Sequence, residues 1–334
     1  TRRPKTSRRP GERRPLKSPG SDNNDDFCRN CVHSEPTIES EALRGMQRFS
    51  RKIRPPWGGP VQRPNLLRRL LVTTLLMAVP GVAPALSQSC DALEAGPSGR
   101  VVSISDGDTF DLEGGLTVRL VGIQAPKLPL GREGFEAWPL GDEAKAAIEE
   151  LVMGHEVSLY YGGENRDRHG RALAHVMVER DGETVWVQAE MLRRGLARVY
   201  SFPDNRSCLD VLYAAEAQGR ADRLGIWRDP YYGVRNGADP GALLDRVGGY
   251  ELVEGRVLNA ERVGNRIYLN FGRVWREDFT AVIEEAGLRV FEQAGIDPLG
   301  LDNSVIRVRG WIESADGPRI DVTHPEQIEV LARP

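Results

Sequence analysis

Three short stretches carry residue types that could act on a phosphate. Asp106 and Asp108 lie in "DGDT" (106–109), Arg119 in "VRLVGIQAPK" (118–127) and Arg171 in "DRHGRALAH" (167–175). Carboxylate oxygens suit a hard dication, which polarises a phosphate and positions water. Guanidinium forks match a phosphate in charge and shape as its charge grows in the transition state. A further carboxylate would orient or deprotonate the attacking water. Together the stretches outline a phosphate-hydrolysing site. Yet the turn after Arg119 offers Gln124 and Lys127 where such a site would want carboxylates. Gln124 brings a carbonyl oxygen without charge, and Lys127 brings only donors.

Alternating apolar and polar residues define the elements that must hold these groups. "RVVSISDGDTFDL" and "TVRLVGI" read as strands joined by a Gly-Gly turn at 114–115. "GDEAKAAIEELVMG" has helical spacing with Gly154 as its stop, and "HEVSLYYG", "ALAHVMVER" and "ETVWV" give three more strands. "QAEMLRRG" and "CLDVLYAAEAQGRADRLGIW" close the series as helices. This order suits a small closed barrel of the OB type. The fold class expected is mainly β with α, in two successive barrels. The segment 97–229 forms the first, 230–247 is a Gly-, Pro- and Asp-rich linker, and 248–332 forms a second OB-like barrel of five strands.

The ordered set "DGDT", "VRLVGIQAP", "DRHGRALA", "LRRGLARVY" and "AEAQGRADRLGIW" resembles the thermonuclease, or staphylococcal nuclease-like, family over about residues 99–229. The resemblance implies a five-stranded OB barrel capped by helices. It also implies hydrolysis of phosphodiesters in DNA or RNA with one Ca²⁺ ion, two arginines and a glutamate. By motif position Asp108 corresponds to the family's first metal-ligand aspartate, Arg119 to its first phosphate arginine and Arg171 to its second. Asp106 reads as a turn-shaping residue.

The family usually carries Asp-Thr or Asp-Ala before the proline and Glu after it. This chain has Gln124-Ala125-Pro126-Lys127. Three readings follow. Glu133 or Glu136, on a loop that also carries Asp142 and Glu143, replaces the missing glutamate. Alternatively the Lys127 ammonium takes the space of the metal, pairs with Asp108 and binds an anion together with Arg119 and Arg171. In the third reading the barrel is a scaffold with no ligand. His169 is a spare candidate base. The functional expectation is phosphodiester hydrolysis with a departure at the metal and water positions. Its alternative is a non-catalytic anion-binding or envelope interaction module, and single-stranded or flexible nucleic acid or a nucleotide is the expected partner.

Charge is unevenly spread. From Ser89 onward there are 28 Lys and Arg against 41 Asp and Glu, a net of −13, whereas the whole chain carries −3. An acidic body is a poor non-specific ligand for polyanions, so any nucleic-acid contact must be local. Residues 1–64 form a basic, polar tail, and translation is expected to begin at Met46.

Residues 65–88 have the basic, apolar and small-residue segments of a signal peptide, with an uncleaved anchor over 66–86 as the rival. Export to the periplasm or medium would leave no stable membrane partner after cleavage. It would also favour a Cys90–Cys208 bridge. Cys28, Cys31 and His33 form only a weak zinc pattern. In the second barrel Tyr268, Phe271, Trp275, Phe279 and Trp311 read as core, with some surface aromatics able to stack bases.

Overall fold

The structure, a computed structural model, describes Cys90 and residues 93–334. The basic tail, the Met46 start, the signal or anchor segment and the Cys28–Cys31 pair lie outside the described residues.

In the first module the strands are β1 (Glu94–Asp106), β2 (Thr109–Leu112), β3 (Thr117–Leu120), β4 (Ile123–Gln124), β5 (Glu156–Tyr161), β6 (Ala172–Arg180), β7 (Glu183–Trp186) and β8 (Arg198–Val199). Helices α1 (Gly141–Val152), α2 (Val187–Arg193) and α3 (Leu209–Ala221) follow the expected positions. The sheet runs β3-β2-β1-β5-β6, and a parallel β3–β6 pairing closes it into a five-stranded mixed barrel. The long β1 serves both β2 and β5, and irregularities near Ser103 and Asp106 bend it around the barrel wall. Gly114 and Gly115 have φ of +92° and +86°, which a β2–β3 turn tolerates best in residues without a Cβ. Ala144, Ala147, Ile148 and Leu151 of α1 share one face and pack into the core with Phe110, Leu120, Leu159 and Val176.

The second module contains β9 (Arg235–Asn236), α4 (Pro240–Leu244), β10 (Tyr250–Arg256), β11 (Asn259–Val263), β12 (Arg266–Asn270), β13 (Thr280–Ile283), α5 (Glu285–Gln293), β14 (Val305–Ser314), β15 (Pro318–Asp321) and β16 (Ile328–Ala332). The ladder runs β11-β12-β13-β15-β14-β10-β9 with β16 branching from β14 and β13 parallel to β15. Only Val257 and Leu258 separate β10 from β11, so one stretch of chain pairs with β14 through its first part and with β12 through its second. The turn Pro298–Leu301 and Asp302 pack beside β11, and Asp302 accepts the Ala260 N–H at 3.0 Å. Segment 230–247, expected as a linker, is laid against the body: Tyr232 is buried, β9 pairs with β10, and Leu243 joins the second core.

A buried polar seam joins the modules. Arg309 of β14 is fully buried and donates to both carboxylate oxygens of Glu216 on α3, at 3.1 and 3.0 Å. Burial alone would raise the Glu216 carboxyl, but the Arg309 guanidinium reverses this and holds it below its ordinary value. Around this pair, Tyr250 donates to the Val199 carbonyl, Arg206 pairs with Glu326, and Ser201 Oγ lies 2.7 Å from His324 Nε2. The Trp311 indole donates to the Tyr200 hydroxyl at 3.2 Å. That contact brings an aromatic residue of the second module to the rim of the first module's cleft.

Candidate functional site

Asp108 ends the turn between β1 and β2 and has no solvent exposure. Its Oδ2 meets three donors: Lys127 Nζ at 2.5 Å, Arg119 Nη1 at 2.7 Å and the Ala125 N–H at 2.9 Å. The Thr109 hydroxyl donates to Oδ1 at 3.1 Å. Burial would raise this carboxyl. The charges of Arg119 and Lys127, then the Lys127 hydrogen bond and the Ala125 amide, bring it below the ordinary carboxylate value. Asp108 is therefore a saturated anion.

Lys127 also reaches Asp106 Oδ2 at 3.1 Å, so Asp106 does more than shape the turn. Arg119, on β3 opposite Thr109, is turned inward. Besides Asp108 it donates to the Ile123 carbonyl at 3.0 Å and more weakly to those of Asp108 and Leu120. Arg171 lies on the loop before β6, where Asp167 holds it. Asp167 accepts from the backbone N–H of His169 and Arg171 through Oδ1, and from Arg171 Nε and Nη2 through Oδ2 at 2.7 and 2.6 Å. Despite partial burial, these hydrogen bonds hold the Asp167 carboxyl below its ordinary value. The Arg171 side chain keeps 35% of its surface open.

A cleft of about 840 Å³ brings these groups together. Asp106, Arg119, Lys127, His169 and Arg171 line it, joined by Arg132, Arg166 and Arg168, which sequence reasoning had not singled out. The run "NRDRHGR", with three arginines in six residues, was the signal for two of them. Glu164, Asp167 and Asp204 stand on its wall, as do Tyr200, Phe202 and Trp311. Glu133 and Glu136, expected as replacement carboxylates, are instead exposed on their loop and are not brought to this cleft. The same loop presents Leu130 and Arg132 to the cleft and leaves the two glutamates exposed beside it.

The resemblance implies a Ca²⁺ ion beside Asp108, and the residues present do not fit one. A dication wants six or more oxygens, several of them charged. Here the oxygen that would face it is occupied by an ammonium and a guanidinium. Gln124 is buried and lines a different cavity. Among the described residues no three His, Cys, Asp or Glu side chains are gathered to hold a metal. Lys127 and Arg119 supply the countercharge at Asp108.

Elsewhere, Cys90 and Cys208 are brought together as a disulfide with their Cα atoms 5.3 Å apart. Of the second-module aromatics, Phe271 and Phe279 are core, Trp275 is exposed, and Trp311 alone among those five lines the cleft.

Residues 117–229 match the family described as "Staphylococcal nuclease homologue". Arg119, Lys127 and Arg171 fall inside that stretch, and the second module lies beyond it. Endonuclease YncB of Bacillus subtilis is 33% identical over 123 residues, covering 36% of this chain and 56% of that protein. Protein ParB of Escherichia coli is 33% identical over 141 residues, covering 40% of this chain and 73% of that protein. Thermonuclease of Staphylococcus intermedius is 27% identical over 165 residues, covering 48% and 94%. The chain thus spans little more than half of YncB, and 41% of a second Bacillus subtilis relative, the SPbeta prophage-derived endonuclease YokF.

Proposed function

The chain belongs to the family of staphylococcal nuclease homologues, and from that premise we propose that it binds the phosphates of single-stranded nucleic acid or nucleotides without a metal ion and without hydrolysing them. One observation carries this reading: Lys127 Nζ stands 2.5 Å from Asp108 Oδ2, in the place a dication would need. Relatives with endonuclease names support nucleic acid as the ligand class.

The roles divide by exposure. Lys127 and Arg119 together balance Asp106 and Asp108 at the cleft floor, so the floor does not repel a phosphate. Arg119 is anchored by carbonyls and by Asp108, which fixes its guanidinium before any ligand arrives. Arg171, half open and steadied by Asp167, presents the fork that a phosphate oxygen pair accepts. Arg132, Arg166 and Arg168 extend the positive lining. Because the body around the cleft is acidic, binding is confined to this surface and weakens steeply with salt.

The test is fluorescence anisotropy of a short labelled single strand in EDTA, alongside a cleavage assay with Ca²⁺. Binding in EDTA with no Ca²⁺-stimulated cleavage is expected. Cleavage that requires Ca²⁺ and disappears in Arg171→Ala would overturn the reading.

We further propose that the protein is exported. The signal-like segment at 65–88 supports this, as does the proximity of Cys90 and Cys208. Thiol counting on denatured protein from an oxidising compartment should find neither cysteine free. Two titratable thiols there would contradict it.

A further inference from the structure

A second cavity, of about 440 Å³, lies where the two modules meet and shares Lys127, Arg132 and Trp311 with the phosphate cleft. Phe135, Trp138 and Tyr231 form an aromatic wall, and Asp245 and the chain at 247–249 form another. The Trp138 ring lies 6.5 Å from Phe135 at 28° and 6.2 Å from Tyr231 at 48°. The Arg246 guanidinium sits 4.5 Å over the Tyr231 ring, adding a positive edge. Gln124 also lines the cavity. It is 6% exposed, and its Oε1 is buried and accepts no hydrogen bond from the protein. A buried acceptor without a donor is costly to keep, and a turn of the Gln124 amide about its last torsion brings that oxygen to the pocket, where a ligand N–H can meet it.

Planar aromatic walls, a cationic rim and an unmet acceptor describe the recognition of a flat, N–H-bearing ring. An unpaired nucleobase has both features, and a splayed single-stranded base offers its pairing edge freely. A paired base does not. The shared residues make the pocket continuous with the phosphate cleft, so one strand can occupy both. We propose that this pocket takes one unpaired nucleobase, stacked against the Trp138 indole with its pairing edge donating to Gln124 Oε1. The strand's phosphates then lie in the neighbouring cleft. The strand's path rests on the phosphate-binding reading above, whereas the base pocket has its own chemistry.

Three probes on the full chain separate the two. The first is a short single strand, the second an abasic strand of equal length, and the third a phosphate-free nucleoside such as adenosine. The base-bearing strand should bind about tenfold tighter than the abasic one, the worth of one base stack. Trp138→Ala should erase that difference while leaving abasic binding unchanged, and Trp138→Phe should restore most of it. Adenosine alone should shift the Trp138 indole N–H resonance, and Gln124→Leu should weaken that response. Equal binding of both strands with no adenosine response would overturn the base pocket and leave the phosphate reading intact. Failure of both strands beside a Trp138-dependent adenosine response would do the reverse. Melting temperatures of the variants within a few degrees of the parent show that the fold is retained.

Discussion

Lys127 Nζ reaches two carboxylates at once, Asp108 Oδ2 at 2.5 Å and Asp106 Oδ2 at 3.1 Å. The ammonium thereby bridges the turn between β1 and β2 to the loop after β4. With Arg119, it gives these carboxylates a countercharge from the chain's own side chains.

Arg119 and Arg171 should separate in their effects, although motif position gives both the same role. Arg119 shares the buried Asp108 carboxylate and several carbonyls. Arg119→Ala should cost about 3–5 kcal/mol of stability, as breaking a buried pair does. Arg171→Ala should change stability by under about 1 kcal/mol, because its pair with Asp167 is partly exposed. It should instead lower strand affinity and flatten its salt dependence. Urea unfolding and anisotropy titrations on the two variants check this, and a reversed pattern contradicts it.

The Arg309–Glu216 pair makes a prediction about the seam between the modules. Glu216→Ala leaves a fully buried guanidinium with only Glu329 as a carboxylate partner. The expected loss is about 3–5 kcal/mol. Replacing both residues with apolar ones of similar volume should recover most of it. A double-mutant cycle by denaturant unfolding measures the coupling, and additive single losses would argue against a shared pair.

His324 gives the seam a pH dependence. Burial lowers this imidazole to about 4, from an ordinary 6.5. Its folded value lies below its unfolded one, so the unfolded chain binds the proton more readily. The stability associated with neutral His324 is then present above about pH 6.5 and is lost as pH falls towards 4. His175, also lowered by burial to about 4, acts with the same sign. Stability curves from pH 7 to 4 should therefore fall, and His324→Gln should make them shallower. A curve unchanged by that substitution would remove His324 from the account.

Much of the first barrel was legible because alternation and helical spacing are local signals. Strand and helix positions around Asp108, Arg119 and Arg171 followed from them, and the Lys127–Asp108 pairing was one of three readings left open. Which charged groups meet there depends on where residues 128–136 travel, which no local pattern encodes. In the second module the strands were visible in the alternation, whereas the contact of Asp302 with the Ala260 N–H lies 42 residues away in sequence. The same holds for Arg309 and Glu216, separated by 93 residues. Gln124 was noticed as a departure from the family pattern, yet its orientation into the junction pocket depends on a second module that the family resemblance does not include.

Calorimetry of the full chain with a nucleoside 3′,5′-bisphosphate, in EDTA and in Ca²⁺, tests the central claim most directly. The account predicts weak nucleotide binding that is the same in both conditions, and no heat from Ca²⁺ alone. It also predicts that Lys127→Glu introduces Ca²⁺ binding, because the ammonium is gone and a carboxylate joins Asp106 and Asp108. Tight Ca²⁺ binding by the wild type that strengthens its affinity for the nucleotide would contradict the account.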